Sequence, residues 1–281
     1  MMLLKRKTSA ETLKLQEKYG VPYLVFPSLE NTGLVRHAFS TRLGGCSTGD
    51  LATMNLSSTR GDDPENVKEN FQRFGAAVGF DPKDLVLSLQ THTTNVRLVT
   101  EEDRGKGFTR PRDYKDVDGL ITNVPGLVLA TFYADCVPLY FVDPVHRAIG
   151  LSHSGWRGTV GKIGKVTIEK MGELYGTKPE DIVACIGPSI CQKCYEISEE
   201  VAVQFKEAFP DNIKEILIDK GNGKYQLDLW ECNRINFKEA GVLPENIKVT
   251  DICTCHNTDV LFSHRGHNGK RGNLGAFLSI V

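Results

Sequence analysis

The sequence has no apolar run approaching the ~20 residues that a membrane-spanning helix needs. It opens with only four apolar residues, MMLL, before KRK, and shows no small-residue cleavage site. A secretory leader is therefore not expected, and a cytoplasmic protein with no membrane partner is. Net charge is nearly absent: 34 basic side chains stand against 35 acidic ones, formally −1. No field of one sign is available to draw in nucleic acid or an anionic lipid surface. Also missing are a Pro/Gly/Ser linker, a low-complexity tract and a repeat of roughly 20–50 residues. The 281 residues are thus expected to form a single domain, 1–281, with residues 1–20 peripheral. Neither a P-loop nor a dinucleotide fingerprint occurs, so ATP and NAD are unsupported. Histidine and methionine are few, seven and four, with no His-x-His pair. A multicopper oxidase needs many more histidines, and a blue-copper relay wants an axial methionine.

What is present begins with eight cysteines. In a reducing compartment they argue for metal, catalysis or core packing rather than a disulfide framework. The first 30 residues read as a polar helix followed by a strand, YLVFPSL. HAFSTRLGGCSTGD (37–50) reads as a strand entering a glycine-rich loop. Asp63-Pro64-Glu65 supplies an N-cap, a proline at the first helical position and an acid in the first turn. Val67, Phe71, Phe74 and Val78 then repeat at helical spacing up to Gly79. Residues 85–100 alternate in period two around Gln90 and His92 and read as one strand. Further strands are expected in LVLATFYAD, VPLYFVD, RAIGLSHS, VACIG, KVTDICT and VLFSHR, and helices near 159–174, 198–209 and 226–240. Intermixed strands and helices, with more hairpins than βαβ units, indicate an α+β or α/β fold with mixed sheets.

The chemistry concentrates in ADCVPLYFVDPVHRAIGLSHSGWRGT (134–159). Two apolar strands flank DPVHR, a hairpin loop of ordinary length. With the turn centred near Val145, Cys136 lies opposite His153 or one residue off, which brings their Cβ atoms to ~4.5–5.5 Å. That separation suits two ligands of one metal, a thiol bonded to an imidazole, or two buried side chains. His92, at the end of another segment, would complete a Cys/His/His set. Three protein ligands with a fourth position open is the catalytic zinc pattern, although the same donors also serve copper. After His153 the strand enters a Gly-rich turn that opens a helix, where backbone N–H groups and Arg157 suit an anion. TRLGGCSTGD, with Arg42, and RGHNGKRGN, with Arg265 and Arg271, are further candidate cradles for phosphate or carboxylate. CQKC (191–194) and CTC (253–255) offer Cys191, Cys194, Cys253 and Cys255 to a structural zinc, but core or loop packing explains these thiols adequately.

Several blocks together resemble one family, in order, over roughly residues 20–280. They are STRLGGCSTGDLATMNL, GDDPENVKENFQRF, LQTHTTNV, DGLITNVPGLVLATFYADCVPLYFVD, LSHSGWRGTVGKI, GPSICQKCYEI and CTCHNTDVLFSHRGHNGKRGNLGAFL. The family is YfiH/YlmD, the laccase-domain or multicopper polyphenol oxidase-like proteins. The resemblance implies a sandwich of mixed β-sheets flanked by helices, similar to a bacterial deamidating toxin domain with Cys–His chemistry. It implies a metal site of His92, Cys136 and His153, holding zinc, with copper as the second choice. The implied activity is phosphorolysis of adenosine, inosine, guanosine and methylthioadenosine, with hydrolytic deamination of adenosine. Some relatives act as editing amidases on cell-wall precursors, so a metal-free Cys136–His153 hydrolase is the alternative and a copper phenol oxidase a third reading. Thr91 and Thr93 stand where the family usually has valine and glycine, and Ser154 where it usually has alanine.

On this chemistry Asp135 is the candidate for proton transfer, or else a supporting carboxylate beside the thiolate ligand. Arg42, Arg157, Arg265 and Arg271 are candidate anion contacts. Gln90 would orient His92 or touch substrate, and Trp156 would stack on a purine. Small-molecule nucleosides and phosphate are the expected partners, for a monomer or a homodimer.

Overall fold

Along VLATFY (128–133), Val128 and Ala130 join one apolar cluster while Leu129 and Tyr133 join another. The same split runs through 274–280, where Ala276, Leu278 and Ile280 face one way and Phe277 the other. Period-two order with apolar groups on both sides means strands covered on both faces. The computed structural model, which describes residues 4–9 and 11–281, shows what covers them.

In chain order the strands are β1 (Lys14–Lys18), β2 (Val21–Val25), β3 (Val35–Ser40), β4 (Leu85–Leu87), β5 (Val96–Leu98), β6 (Gly119–Thr122), β7 (Val128–Tyr133) and β8 (Val137–Asp143). There follow β9 (Ala148–Ser154), β10 (Val183–Ile186), β11 (Glu196–Ser198), β12 (Leu217–Gly221), β13 (Lys224–Leu227), β14 (Ile247–Val249) and β15 (Leu274–Ile280). The helices are α1 (Pro27–Glu30), α2 (Pro64–Val78), α3 (Trp156–Val160), α4 (Ile163–Tyr175), α5 (Glu199–Ala208), α6 (Ile213–Ile216) and α7 (Leu229–Glu239). One sheet has the order β1-β2-β3-β15-β7-β4, a second β14-β10-β8-β9-β6-β5, and a small third β11-β13-β12. Pairing is antiparallel except at β4–β7, β5–β6 and β10–β14.

The two large sheets stack face to face. Leu129, Tyr133, Leu274 and Leu278 of the first meet Tyr140, Ile149 and Leu151 of the second in one fully buried layer. Val67, Phe71 and Phe74 of α2 cover the outside of the first sheet. Ile168 and Met171 of α4, with Phe237 of α7, cover Leu139 and Phe141 on the outside of the second. The sandwich of mixed sheets flanked by helices is therefore present.

Local signals explain several elements. The Asp63 carboxylate accepts from the Glu65 amide, Pro64 follows, and Gly79 ends α2 at φ +94°. Asp228 caps α7 by accepting from the amides of Trp230 and Glu231, so that helix starts at Leu229 rather than at 226.

Other segments depart from expectation. Among the described residues the N-terminal stretch is no helix: β1 pairs antiparallel with β2, and this edge strand keeps Lys14, Glu17 and Lys18 outward. Residues 85–100 are not one strand, because β4 and β5 belong to different sheets. The helix expected at 159–174 begins at Trp156 and breaks at Gly161 and Lys162, the latter at φ +57°. Residues 260–265 form turns, with Val260 and Leu261 both donating to the Asn257 carbonyl. β14 stops at Val249, short of the 254 expected.

Candidate metal centre and its cavity

Antiparallel β8 and β9 bring Cys136 and His153 to one place, in a different register from that expected. Asp143 accepts from the amides of Val145 and His146, which tightens the turn so that Asp143 pairs Ala148. Pro138, not Cys136, then stands opposite His153. Cys136 precedes the strand and reaches His153 diagonally on the same face. His92 arrives from the loop between β4 and β5, at φ +67°. One ligand atom of each, from His92, Cys136 and His153, lies within 4.8 Å of the others. Cys136 Sγ is 3.9 Å from His92 Nε2.

Asp118, at the mouth of β6, organises the two histidines, and nothing in the sequence marks it. Its Oδ1 accepts from His153 Nδ1 at 2.7 Å and from the His92 amide at 3.0 Å. Its Oδ2 accepts from the amides of Thr91 and Thr93 at 3.0 Å and from the Thr93 hydroxyl at 3.1 Å. These bonds replace a β ladder, which is why the strand expected through 85–100 is interrupted there. They also commit His153 Nδ1 and leave its Nε2 free to ligate. Thr93 thus adds a hydroxyl contact where the resembled family has glycine, and Thr91 adds one to Asp116.

Close packing demands a glycine beside the ligands. A Cβ on Gly155 would sit 2.7 Å from His92 Cδ2 and 3.2 Å from Cys136 Sγ. Behind it, the Ser154 hydroxyl contacts Thr159 Oγ1 at 2.8 Å and donates to Asn233 Oδ1 of α7 at 3.0 Å, fixing the turn that carries His153 into α3.

Burial opposes charge on both partners, yet their mutual attraction outweighs it. Burial alone would push the Cys136 thiol up; the charge and hydrogen bond of His153, then His92, bring it down to about 6. Burial alone would lower His153, and Cys136 with Asp118 lift it to about 9. Burial likewise acts to raise Asp118, but its bond to His153 and the loop amides hold it below the usual carboxylate value. A thiolate beside two imidazoles is both a metal-ligand set and the ground state of a Cys–His nucleophile.

The cluster opens into a cavity of about 720 Å³. Phe71, Phe108 and Phe132 form an aromatic wall, with Phe71 and Phe108 centroids 4.9 Å apart. Arg60, Arg112, Arg271 and Lys68 line it against a single carboxylate, Glu65. Arg271 is only 8% exposed, forms no salt bridge among the described residues, and leaves its buried Nε without a partner. Burial and neighbouring Arg60 lower it to about 10.

The other candidates are placed differently. Gln90 lines the cavity, but its amide is spent on the backbone of Phe132 and on Ser88 rather than on His92. Arg42 holds the carbonyls of Ala52 and Thr258 and stacks on Phe262, outside the cavity. Arg157 lies over Trp156, 4.1 Å from its centroid, and neither lines the cavity. Arg265 donates to the carbonyls of Cys194 and Glu196. Asp135 points away from the cavity, with Oδ1 accepting from Thr254 and Oδ2 from the Arg265 amide. Arg60 and Arg112 were not singled out by the sequence. Gly45-Cys46-Ser47-Thr48-Gly49 spells a serine-hydrolase motif, but buried Ser47 donates to Asp62 and accepts from Asn70, which leaves no nucleophile there.

Residues 36–281 match the family model described as multi-copper polyphenol oxidoreductase laccase. A purine nucleoside phosphorylase of Bacteroides thetaiotaomicron is 36% identical over 252 residues, 89% of this chain and 93% of the relative. The crystal structure of YlmD from Geobacillus stearothermophilus superposes with a TM-score of 0.87 at 32% identity, covering 95% of this chain and 98% of that one. Hypothetical protein YfiH of Bacillus licheniformis gives 0.89 at 30% identity, covering 95% and 99%.

Proposed function

The chain belongs to the multi-copper polyphenol oxidoreductase laccase family, and we propose that it acts there as a metal-dependent purine nucleoside phosphorylase. The observation that carries this reading is the His92–Cys136–His153 set opening onto a cavity whose lining is both aromatic and cationic. A purine nucleoside and a phosphate ask for those two kinds of lining. Adenosine, inosine, guanosine and methylthioadenosine are the proposed substrates, and deamination of adenosine a second reaction of the same centre. The setting is proposed to be cytoplasmic; among the described residues no helix is long and apolar enough to cross a membrane.

The three side chains fit a zinc ion with one position open: a thiolate of lowered pKa, an imidazole whose far nitrogen is held by Asp118, and a second imidazole within reach. A copper relay fits less well, since the two described methionines, Met54 and Met171, lie in the outer cores. Zinc would supply Lewis acidity at the reacting centre. The chain's own groups do the rest. Asp118 keeps His153 Nε2 and the His92 loop aimed at the centre. Arg271, with Arg60 and Arg112, binds the phosphate through charge-assisted bonds and holds an oxygen toward C1′ of the ribose. The C1′–N bond breaks as the C1′–O bond forms, and the departing purine takes its proton from the phosphate. Asp135 has both carboxylate oxygens occupied, which favours its role as a support for Cys136 over proton transfer.

The lowered Cys136 thiol beside His153 keeps one second reading, a Cys–His amidase acting on cell-wall precursors by thiolate attack. One experiment separates the two. Wild type, His153→Ala and chelator-stripped protein are incubated with adenosine and phosphate and the products resolved by chromatography. Adenine, ribose-1-phosphate and inosine are expected from wild type alone, with activity returning on zinc addition. Full activity in stripped protein, or in His153→Ala, would overturn the metal reading.

A further inference from the structure

Away from the cavity, three thiols and an imidazole converge with no part in the chemistry above. Cys191 and Cys194 lie in the short turn between β10 and β11, and Cys253 and His256 in the turn after β14. One ligand atom from each of the four lies within 4.8 Å of the others. Cys194 Sγ is 3.2 Å from His256 Nε2, and Cys191 Sγ is 3.9 Å from His256 Nδ1. None of the cysteines forms a disulfide.

The spacing is as informative as the convergence. Cys191-x-x-Cys194 and Cys253-x-x-His256 are two ligand pairs of equal span, the arrangement that builds structural zinc sites from two tight turns. CTC on its own directs attention to Cys255, but the turn after β14 brings His256 into the four-membered cluster, while Cys255 touches Cys194 without joining the set. Backbone amides reinforce each pair. The Cys194 amide faces the Cys191 thiol and the His256 amide faces the Cys253 thiol, in both cases three residues on. The Cys191 amide also donates to Cys253 Sγ at 3.3 Å, joining the two turns. Three sulfurs and one imidazole nitrogen gathered in this way are the donor set of a structural zinc site.

We propose that Cys191, Cys194, Cys253 and His256 bind a second metal ion, a structural zinc with all four positions filled by protein. With no position open to water or substrate, its role is to clamp. The Thr254 amide bonds the Ser189 carbonyl, and the Ile190 amide bonds the carbonyl of Asp135. Thr254 Oγ1 also holds Asp135 Oδ1 at 2.6 Å. Both clamped turns therefore grip the residue that precedes Cys136, so the second ion would steady the segment that carries a ligand of the first.

Metal content is measured in full-length protein purified without added metal, for wild type, Cys194→Ser, His256→Asn, Cys255→Ser and Cys136→Ser. The expected result is that Cys194→Ser and His256→Asn each hold about one equivalent fewer than wild type. Cys255→Ser should retain it, and Cys136→Ser should keep the equivalent held by the second cluster whatever happens at the first. Unchanged content in both Cys194→Ser and His256→Asn would overturn the proposal. Should those variants not fold, Cys136→Ser is loaded with cobalt(II) and its thiols are titrated. Thiolate-to-cobalt absorption and protection of Cys191, Cys194 and Cys253 until chelator is added would support the site. Free reactivity throughout, or a disulfide between Cys191 and Cys253, would sink it.

Discussion

Asp118 shows how one carboxylate can define a site without showing in the sequence. Cys136 and His153 were legible because both residue types are rare and the strands around them are strongly apolar. Asp118 was not, since its importance lies in the amides and the imidazole it meets from segments about 25 to 35 residues away. The arginines fail as sequence signals for a related reason. Arg42 and Arg271 sit in similar glycine-rich surroundings, yet Arg42 is held on the carbonyls of Ala52 and Thr258 outside the cavity, while Arg271 lines it, bonded to Gly272 and Asn273 but with its Nε left without a partner. Asp118→Asn keeps the shape but removes the charge that favours donation from His153 Nδ1. The expected outcome is a 10–100-fold loss of metal affinity or nucleoside turnover, as for supporting carboxylates of other metal sites. Chelator competition on the folded variant measures the affinity directly. A variant that binds metal as tightly as wild type would remove Asp118 from the site.

Elements were legible where local and tertiary signals agree and illegible where a side chain intercepts the backbone. In α2 the cap, the proline, the apolar spacing and the terminal glycine all point the same way, and the helix runs over the residues expected. In 85–100 the alternation is real, but Asp118 takes the amides of residues 91–93, so the strand splits. β15 follows directly on a basic, glycine-rich loop and hides its strand character until β3 and β7 flank it. β3 carries a testable feature of its own. His37 Nε2 accepts from the Phe26 amide at 2.8 Å, tying the end of β2 to β3, and burial drives the ring down to about 3. The folded ring stays neutral at pH values where an unfolded histidine, near 6.5, is already charged. Its stability contribution is therefore complete above about pH 6.5 and drains away as pH falls toward 3, by up to ~1.4 kcal/mol per pH unit. Urea unfolding of wild type and His37→Gln should show wild type losing about 2–3 kcal/mol more than the variant between pH 6.5 and 4.5. Parallel pH profiles for the two proteins would refute this.

At the scale of the molecule, composition predicts the absence of long-range attraction, and alternation predicts layers. Neither predicts which strand joins which sheet. The last strand, β15, lies between β3 and β7, and the parallel partners β10 and β14 are separated by three helices and the small third sheet. Such pairings are settled by the burial of both sheet faces together, not by any local stretch. The charge distribution follows the same logic. A net charge of −1 leaves no overall field, while Arg60, Arg112, Arg271 and Lys68 face one cavity with Glu65 alone against them. Anion binding should therefore be local and small-molecule in character, falling with ionic strength but not extending to nucleic acid. Because the folded chain alone presents this cavity, phosphate binding must stabilise the whole fold. Phosphate at 100 times its dissociation constant adds about 2.7 kcal/mol, worth a few degrees in a chain of this size. Thermal melts at constant ionic strength, with phosphate replacing chloride, should show that shift in wild type and a much smaller one in Arg271→Gln. An equal shift in both would place the phosphate site somewhere other than at Arg271, and the proposed holding of phosphate against C1′ would fall with it.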